Sequence, residues 1–340
     1  MENNLPTKNN FNLIRLLAAL QVCIGHTISH LEIDLNIPLI GYFPGVIVFF
    51  TTSGFLIYDS FTRNQDLKRY FKNRFLRIYP ALWICFFMTV ILLLIFKTIK
   101  PSELTSSTVL TWIFTQITVL QFYTPDLLRS WGVGTPNGSL WTIPVEIQFY
   151  IALPVIVLFL KNVKIFYKLL VLLVLSVGFN LYLGDSTDSE SLYIKLLGVS
   201  LLPYLFYFII GIIIREFWQF FRVIFINKFF YWIIVFLFTC YISNYSPTYT
   251  PSDIFGYFVN LLLAFVTISF AYSHPVFENL LHRQDISYGI YIFHMLVVNS
   301  LFEMGYTKDI TYFFLSMLVT TIVAFLSWYF IERKALRFKM

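Results

Sequence analysis

Apolar stretches of membrane-spanning length recur along this chain, at about 11–31, 40–60, 77–97, 140–160, 165–183, 196–215, 229–243, 254–273, 286–304 and 311–331. A helix needs about 20 mainly apolar residues to cross a hydrocarbon core about 30 Å thick, so the pattern predicts about ten transmembrane helices. An eleventh stretch, 104–122, is weaker because Thr, Ser and Gln interrupt it. Charge decides its status. The loop 62–79 holds Arg63, Lys68, Arg69, Lys72, Arg74 and Arg77, and the positive-inside rule assigns such a loop to the cytoplasm. A full crossing by 104–122 would put Lys161, Lys164, Lys168, Arg215, Arg222, Lys228 and the final Arg333, Lys334, Arg337 and Lys339 outside. As a re-entrant or interfacial segment it leaves 19 of the 24 basic residues inside and five outside, with the acidic loop Asp185, Asp188 and Glu190 also outside. The expectation is an all-α polytopic membrane protein with both termini cytoplasmic and one long external segment, 97–139.

Composition agrees. The chain is 58% hydrophobic and 12% charged, where soluble domains carry about 25% charged residues. Its net charge of +6 sits in short loops between apolar spans, which is not a nucleic-acid signature. Cys23, Cys85 and Cys240 all fall in predicted spans without CxxC spacing, so neither a disulfide framework nor a zinc site is expected. The first apolar run is long and lacks a small-x-small cleavage site, and is read as a retained helix. No internal repeat or low-complexity linker is evident, so 1–340 reads as a single membrane domain. Interruptions at Thr51-Thr52-Ser53-Gly54, at Pro136-Asn137-Gly138 and at Pro144 mark places where broken backbone must be covered by protein or a water-filled cavity.

Ionisable residues inside spans are costly to desolvate and so point to function. Arg15 and His26 share the first span, 11 residues apart; at about 100° and 1.5 Å per residue they lie on one face, roughly 16 Å apart. Imidazole suits general-base work near neutral pH, which makes His26 the leading catalytic candidate; an interhelical hydrogen bond is the alternative. Glu146, in the fourth span, is expected at a depth comparable to His26, where it would orient the ring or form an ion pair between helices. Arg74 and Arg77, three apart on one helix face, with Arg15 could form a guanidinium pocket suited to phosphate; for Arg15 alone a snorkelling anchor is the plainer reading. His294 reads equally as a substrate contact or a packing residue, and Ser53 as a hydroxyl donor or a helix-bending device. GxxxxGK[ST], HExxH and GxSxG are all absent, so nucleotide hydrolysis, zinc chemistry and elbow-type serine chemistry have no support.

At these residues the chain resembles the acyltransferase-3 family of membrane acyltransferases. The matching stretches are Arg15 and His26 as R-x10-H, FFTTSGFLI at 49–57, RFLRIYP at 74–80, SLWTIPVEIQFY at 139–150 and SYGIYIFH at 287–294. They occur in family order across 11–331. The resemblance implies ten spans and acyl transfer, usually acetyl, from cytoplasmic acyl-CoA to a hydroxyl of an extracytoplasmic or lipid-linked glycan in a bacterial inner membrane, as in capsule or lipopolysaccharide O-antigen acetylation. It implies His26 as catalytic, with Glu146 as the motif acid beside it, and Arg15, Arg74 and Arg77 in acyl-CoA binding or the catalytic polar network; Ser53, Tyr288 and His294 are read as candidate substrate contacts. No bound cofactor or metal is implied; membrane lipid, the acyl-CoA donor and the glycan are the expected partners, and a homo-oligomer is compatible with the sequence. Members often show Glu-x-Pro after the last span, whereas Glu332-Arg333-Lys334 lacks the proline. The competing class is a transporter or glycan flippase, which would favour repeat-related broken helices near the midplane.

Overall fold

The computed structural model describes residues 5–158, 163–184, 192–273 and 284–339, which form helices and turns with no β-strand. Lys161 and the acidic loop Asp185, Asp188 and Glu190 lie outside the described residues. In chain order the helices are α1 (Phe11–His30), α2 (Gly45–Arg63), α3 (Leu67–Ile95), α4 (Ser107–Ile117), α5 (Thr142–Leu158), α6 (Ile165–Gly184) and α7 (Leu192–Gly198). Then come α8 (Leu205–Glu216), α9 (Trp218–Phe225), α10 (Phe229–Ser243), α11 (Ile254–Ala271), α12 (Ser287–Glu303), α13 (Ile310–Ser327) and α14 (Arg333–Leu336). A single π-helical turn, Trp328–Glu332, joins the last two.

Among the described residues seven helical segments are long and apolar enough to cross a membrane, and eight if the α9–α10 pair, bent by 82°, counts as one span. The remaining predicted stretches are helical too, but shorter. α12 has 17 residues, about 26 Å of rise. The stretch 196–215 is divided, because Pro203 cannot donate a backbone hydrogen bond and disfavours helix in the residue before it. α4 has 11 residues, about 16 Å, half the thickness of a hydrocarbon core, as a re-entrant or interfacial segment requires.

Two compact units emerge: one from 1–18, 37–67 and 148–284, the other from 19–36, 68–147 and 285–340. In the first, α2 runs unbroken through Thr51–Gly54, against the expectation of an interruption there. The glycine serves close packing. A Cβ on Gly54 would collide with the backbone of Phe208, and one on Gly211 with the backbone of Thr51 and Phe55, so α2 and α8 meet backbone to backbone in the manner of small-residue interfaces within membranes. Asp59 and Arg215, both buried, pair across the same interface at 2.7 Å. The break before α8 is covered by protein. Asn180 Nδ2 donates to the Pro203 carbonyl at 2.7 Å, Ser176 Oγ donates to that of Leu202 at 2.8 Å, and Gln148 Oε1 accepts from the Leu201 N–H at 2.8 Å. Freed backbone groups thus find partners where no water would supply them.

In the second unit, α12 is buried along nearly its whole length and packs against α13 and the later half of α1. Leu31 and Ile33 meet Val298 and Leu301 in one apolar cluster, and Thr27 Oγ1 shares a 3.2 Å hydrogen bond with Ser316 Oγ. A separate cluster of Leu93, Ile99, Val109, Trp112, Leu128 and Trp131 binds α4 and the loop after it to the end of α3.

Candidate active site

A helix buried on all sides must satisfy every polar side chain it carries, because an unpaired polar group away from water costs free energy. α12 carries several, and their partners come from stretches far apart in the sequence. At its entry Asp285 takes the Arg77 Nη2 at 2.7 Å and the Ser287 hydroxyl. One residue past Ser287, the Tyr288 hydroxyl donates to the Ile78 carbonyl at 3.0 Å, and the Arg77 guanidinium lies 5.9 Å from the Tyr288 ring centre. One turn on, the Tyr291 hydroxyl shares a 2.8 Å hydrogen bond with Thr142 Oγ1 and donates to the Ser139 carbonyl at 3.1 Å. Then comes His294, wholly buried, whose Nε2 is 2.8 Å from Nδ1 of His26.

The two imidazoles stack with ring centres 5.1 Å apart, and the His30 ring lies 5.4 Å from that of His26. His294 Nδ1 is 3.2 Å from the carbonyl of Ile290, one turn earlier on the same helix. His26 is half-buried and so reachable. Both ring nitrogens of His294 lie within hydrogen-bond distance of protein partners, Nε2 of the His26 ring and Nδ1 of the Ile290 carbonyl.

Glu146 does not meet the expectation of orienting His26. The hydrogen-bond partner of His26 is His294, while Glu146 bears electrostatically on Tyr70 and Tyr288. The reason is the path of the chain before α5. Asn137 Nδ2 donates to the Ile292 carbonyl at 2.8 Å and Ser139 Oγ to that of Tyr291 at 3.2 Å, so the segment has already reached the middle of α12 when the 3-10 turn Gly138–Trp141 hands over to α5 at Thr142. Glu146, one turn further, falls level with the entry of α12. It joins a group with Tyr70, over which Arg74 sits at 5.7 Å, and Tyr288.

Arg74 and Arg77 therefore belong to one polar group at the start of α12. Arg15 lies in the first unit, on the opening turns of α1, with its Nη2 donating to Asn12 Oδ1 at 2.6 Å. Ser53 is also in the first unit, beside Gly54 at the α2–α8 contact. Sequence reasoning passes over Asp285, Thr142 and Tyr291; an acid immediately before a predicted span is the available signal for Asp285. In the sequence Glu332 stands out only for the proline missing two residues after it. It is buried on the π-helical turn, with Oε1 accepting from Ser327 Oγ at 3.1 Å, Oε2 without a hydrogen-bond partner among the described residues, and Arg77 and Asp285 within electrostatic reach. No group of three His, Cys, Asp or Glu side chains among the described residues is arranged to hold a metal.

Comparison with known proteins adds a second line. A family model for the acyltransferase domain matches residues 8–329. The chain is 32% identical to nodulation protein 10 of Rhizobium leguminosarum bv. viciae, over 99% of this chain and 96% of that protein. It is 32% identical to the O-acetyl transferase of Shigella phage Sf6 over 49% of this chain and 51% of the phage protein. It is 31% identical to peptidoglycan O-acetyltransferase OatA of Listeria monocytogenes serovar 1/2a, over 41% of this chain and 23% of OatA. No solved structure matches. With the family model spanning nearly its whole length and several helices able to cross a bilayer, the chain belongs to the acyltransferase-3 family and is a multi-pass membrane O-acyltransferase.

Proposed function

We propose that this enzyme moves an acetyl group from cytoplasmic acetyl-CoA to a hydroxyl of an extracytoplasmic or lipid-linked glycan, in a bacterial cytoplasmic membrane with both chain ends on the cytoplasmic side. The observation that carries the reading is a reachable imidazole, His26, backed at 2.8 Å by a wholly buried one. A base held so firmly fits proton abstraction from a hydroxyl nucleophile. The names of two relatives, an O-acetyl transferase and a peptidoglycan O-acetyltransferase, support acetyl as the group and a glycan as the acceptor. For the donor, the support is the Arg74–Arg77 group at the entry of α12. Guanidinium is the side chain best fitted to bidentate phosphate recognition, and Tyr288 and His294 are six residues apart, about 9 Å along the helix. A donor with its phosphates at Arg77 would extend its arm beside α12 toward His26.

Membranes holding the wild type or His26→Ala, incubated with acetyl-labelled acetyl-CoA and the host's glycan fraction, test this reading. Label should reach glycan with the wild type alone. Equal transfer by both forms would remove His26 from the chemistry, and no consumption of acetyl-CoA by the wild type would overturn the donor.

A further inference from the structure

We propose that His294 is a positioning residue that makes His26 a one-sided base: the bare Nε2 of His294 accepts the Nδ1–H of His26, which leaves Nε2 of His26 as the nitrogen that takes the substrate proton. This rests on the acyltransferase reading of His26 and adds the device that sets its protonation.

The assignment follows from counting hydrogens. The Ile290 carbonyl can only accept, so the 3.2 Å contact to it puts a hydrogen on Nδ1 of His294. A neutral imidazole carries one ring N–H, so Nε2 of His294 is bare. The 2.8 Å contact between His294 Nε2 and His26 Nδ1 still needs one hydrogen, and His26 supplies it. His26 in turn has no hydrogen left for its Nε2. The buried ring thus fixes the tautomer of the reachable ring, the task that a carboxylate performs in a hydrolase triad. Among the described residues no carboxylate hydrogen-bonds either imidazole; the ionisable groups facing the pair are His30, beside His26, and Tyr291, whose ring centre is 6.1 Å from that of His294.

The step balances. The acceptor hydroxyl gives its proton to His26 Nε2 while its oxygen forms a bond to the thioester carbonyl carbon. The C–S bond then breaks, and the departing thiolate takes that proton from the His26 imidazolium and leaves as the thiol of CoA. Between those events His26 is an imidazolium, and its Nδ1–H to His294 becomes a charge-assisted hydrogen bond, about twice as strong as a neutral one. Removing the acceptor nitrogen costs orientation and this stabilisation together.

Two measurements on the full-length protein in detergent test the idea. In the transfer assay, His294→Phe keeps a ring but offers no acceptor, and kcat should fall about 10²-fold or more with KM for acetyl-CoA within about twofold. His294→Gln, whose Oε1 can accept the His26 N–H, should recover part of that loss. A thermal melt identifies any variant that is misfolded. The second readout needs no turnover. With ring-¹⁵N-labelled histidine there are five imidazoles to resolve, two ring nitrogens each, and the His26 pair is the one lost in His26→Ala. Wild type should show His26 protonated at Nδ1 and bare at Nε2, and His294→Phe should mix the tautomers. A His26 proton found on Nε2, or a His294→Phe variant with unchanged kcat and tautomer, overturns the proposal. A wild type that transfers nothing refutes the acyltransferase reading instead, and the spectra still judge the pair.

Discussion

Asn299 holds the segment that carries Asn137, Ser139 and Thr142 onto α12, and its loss should open that segment before it harms the rest of the protein. The side chain is wholly buried and uses both ends. Oδ1 accepts from the Val133 N–H at 3.1 Å, and Nδ2 donates to the Thr135 and Pro136 carbonyls at 2.9 and 3.0 Å. Gly132, at φ +61°, brings the turn so close that a Cβ there would run into the Asn299 side chain. Asn299→Ala removes three hydrogen bonds, each worth about 1 kcal/mol net, so local opening of the turn should become about 3 kcal/mol easier. At 1.4 kcal/mol per factor of ten that is roughly a 10²-fold rise in opening. Hydrogen exchange of the peptide covering 127–141, followed by mass spectrometry, reads this directly, since exchange in a locally opening unit tracks its opening free energy. The Gly132 N–H to Glu303 contact remains in the variant, so the turn loosens without being lost. Transfer activity should drop alongside, because the loosened stretch supplies Thr142 to Tyr291, one turn from His294. Exchange within about threefold of wild type in a well-folded Asn299→Ala would refute the reasoning.

Three further outcomes are expected. Asp59→Asn leaves Arg215 without the carboxylate at 2.7 Å and should cost about 3–5 kcal/mol, read as a drop of several degrees in melting temperature; the Asp59→Leu/Arg215→Leu double variant should recover most of it. Should the double variant melt as low as the single, the pair is not the source. Gly54→Val forces a side chain into the Phe208 backbone, where neither helix can yield cheaply, so folded yield should collapse; a melt like that of wild type would show that α2 and α8 stand further apart. Arg77→Ala should raise KM for acetyl-CoA about tenfold or more, the worth of a charge-assisted hydrogen bond, with Arg77→Lys between; a KM within twofold of wild type would remove Arg77 from donor binding.

The helices were legible because a bilayer imposes one length and one composition on whatever crosses it, and each apolar stretch of the sequence is helical in the structure. The exceptions have local causes. Pro203 divides 196–215, whereas Gly54, read as a break, is a packing contact. A glycine in a span permits either outcome, and only the partner helix decides. The site was legible as a set of residues and not as a set of pairs. His26 stood out because it is ionisable in an apolar run, but nothing in its own span says that its partner is His294, 268 positions away. Glu146 was assigned to His26 by assuming that α5 begins at a membrane face. The inward path of 137–141 moves its start to the middle of α12 and carries Glu146 past the imidazoles to the arginines.

That shift explains why the family's motifs can sit so far apart in sequence and still act together. Of the five matching stretches, the four that lie wholly or in part in the second unit meet on one helix: His26 on His294, Ser139 and Thr142 on Tyr291, Arg77 and Ile78 on Asp285 and Tyr288. α12 is buried along most of its length, so its inner polar side chains require partners, and Tyr288, Tyr291 and His294 find them in three different motifs, in Ile78, Thr142 and His26. Between Tyr288 and His294 the helix rises only about 9 Å, so the group expected to hold phosphate and the group expected to move a proton are fixed against a single rigid element. A change in the bearing of α12 would move both ends of the proposed reaction together. Substitutions at the apolar positions of its buried face, such as Ile290 and Ile292, should therefore alter donor KM and kcat jointly, whereas those confined to Arg77 or to His294 should separate them.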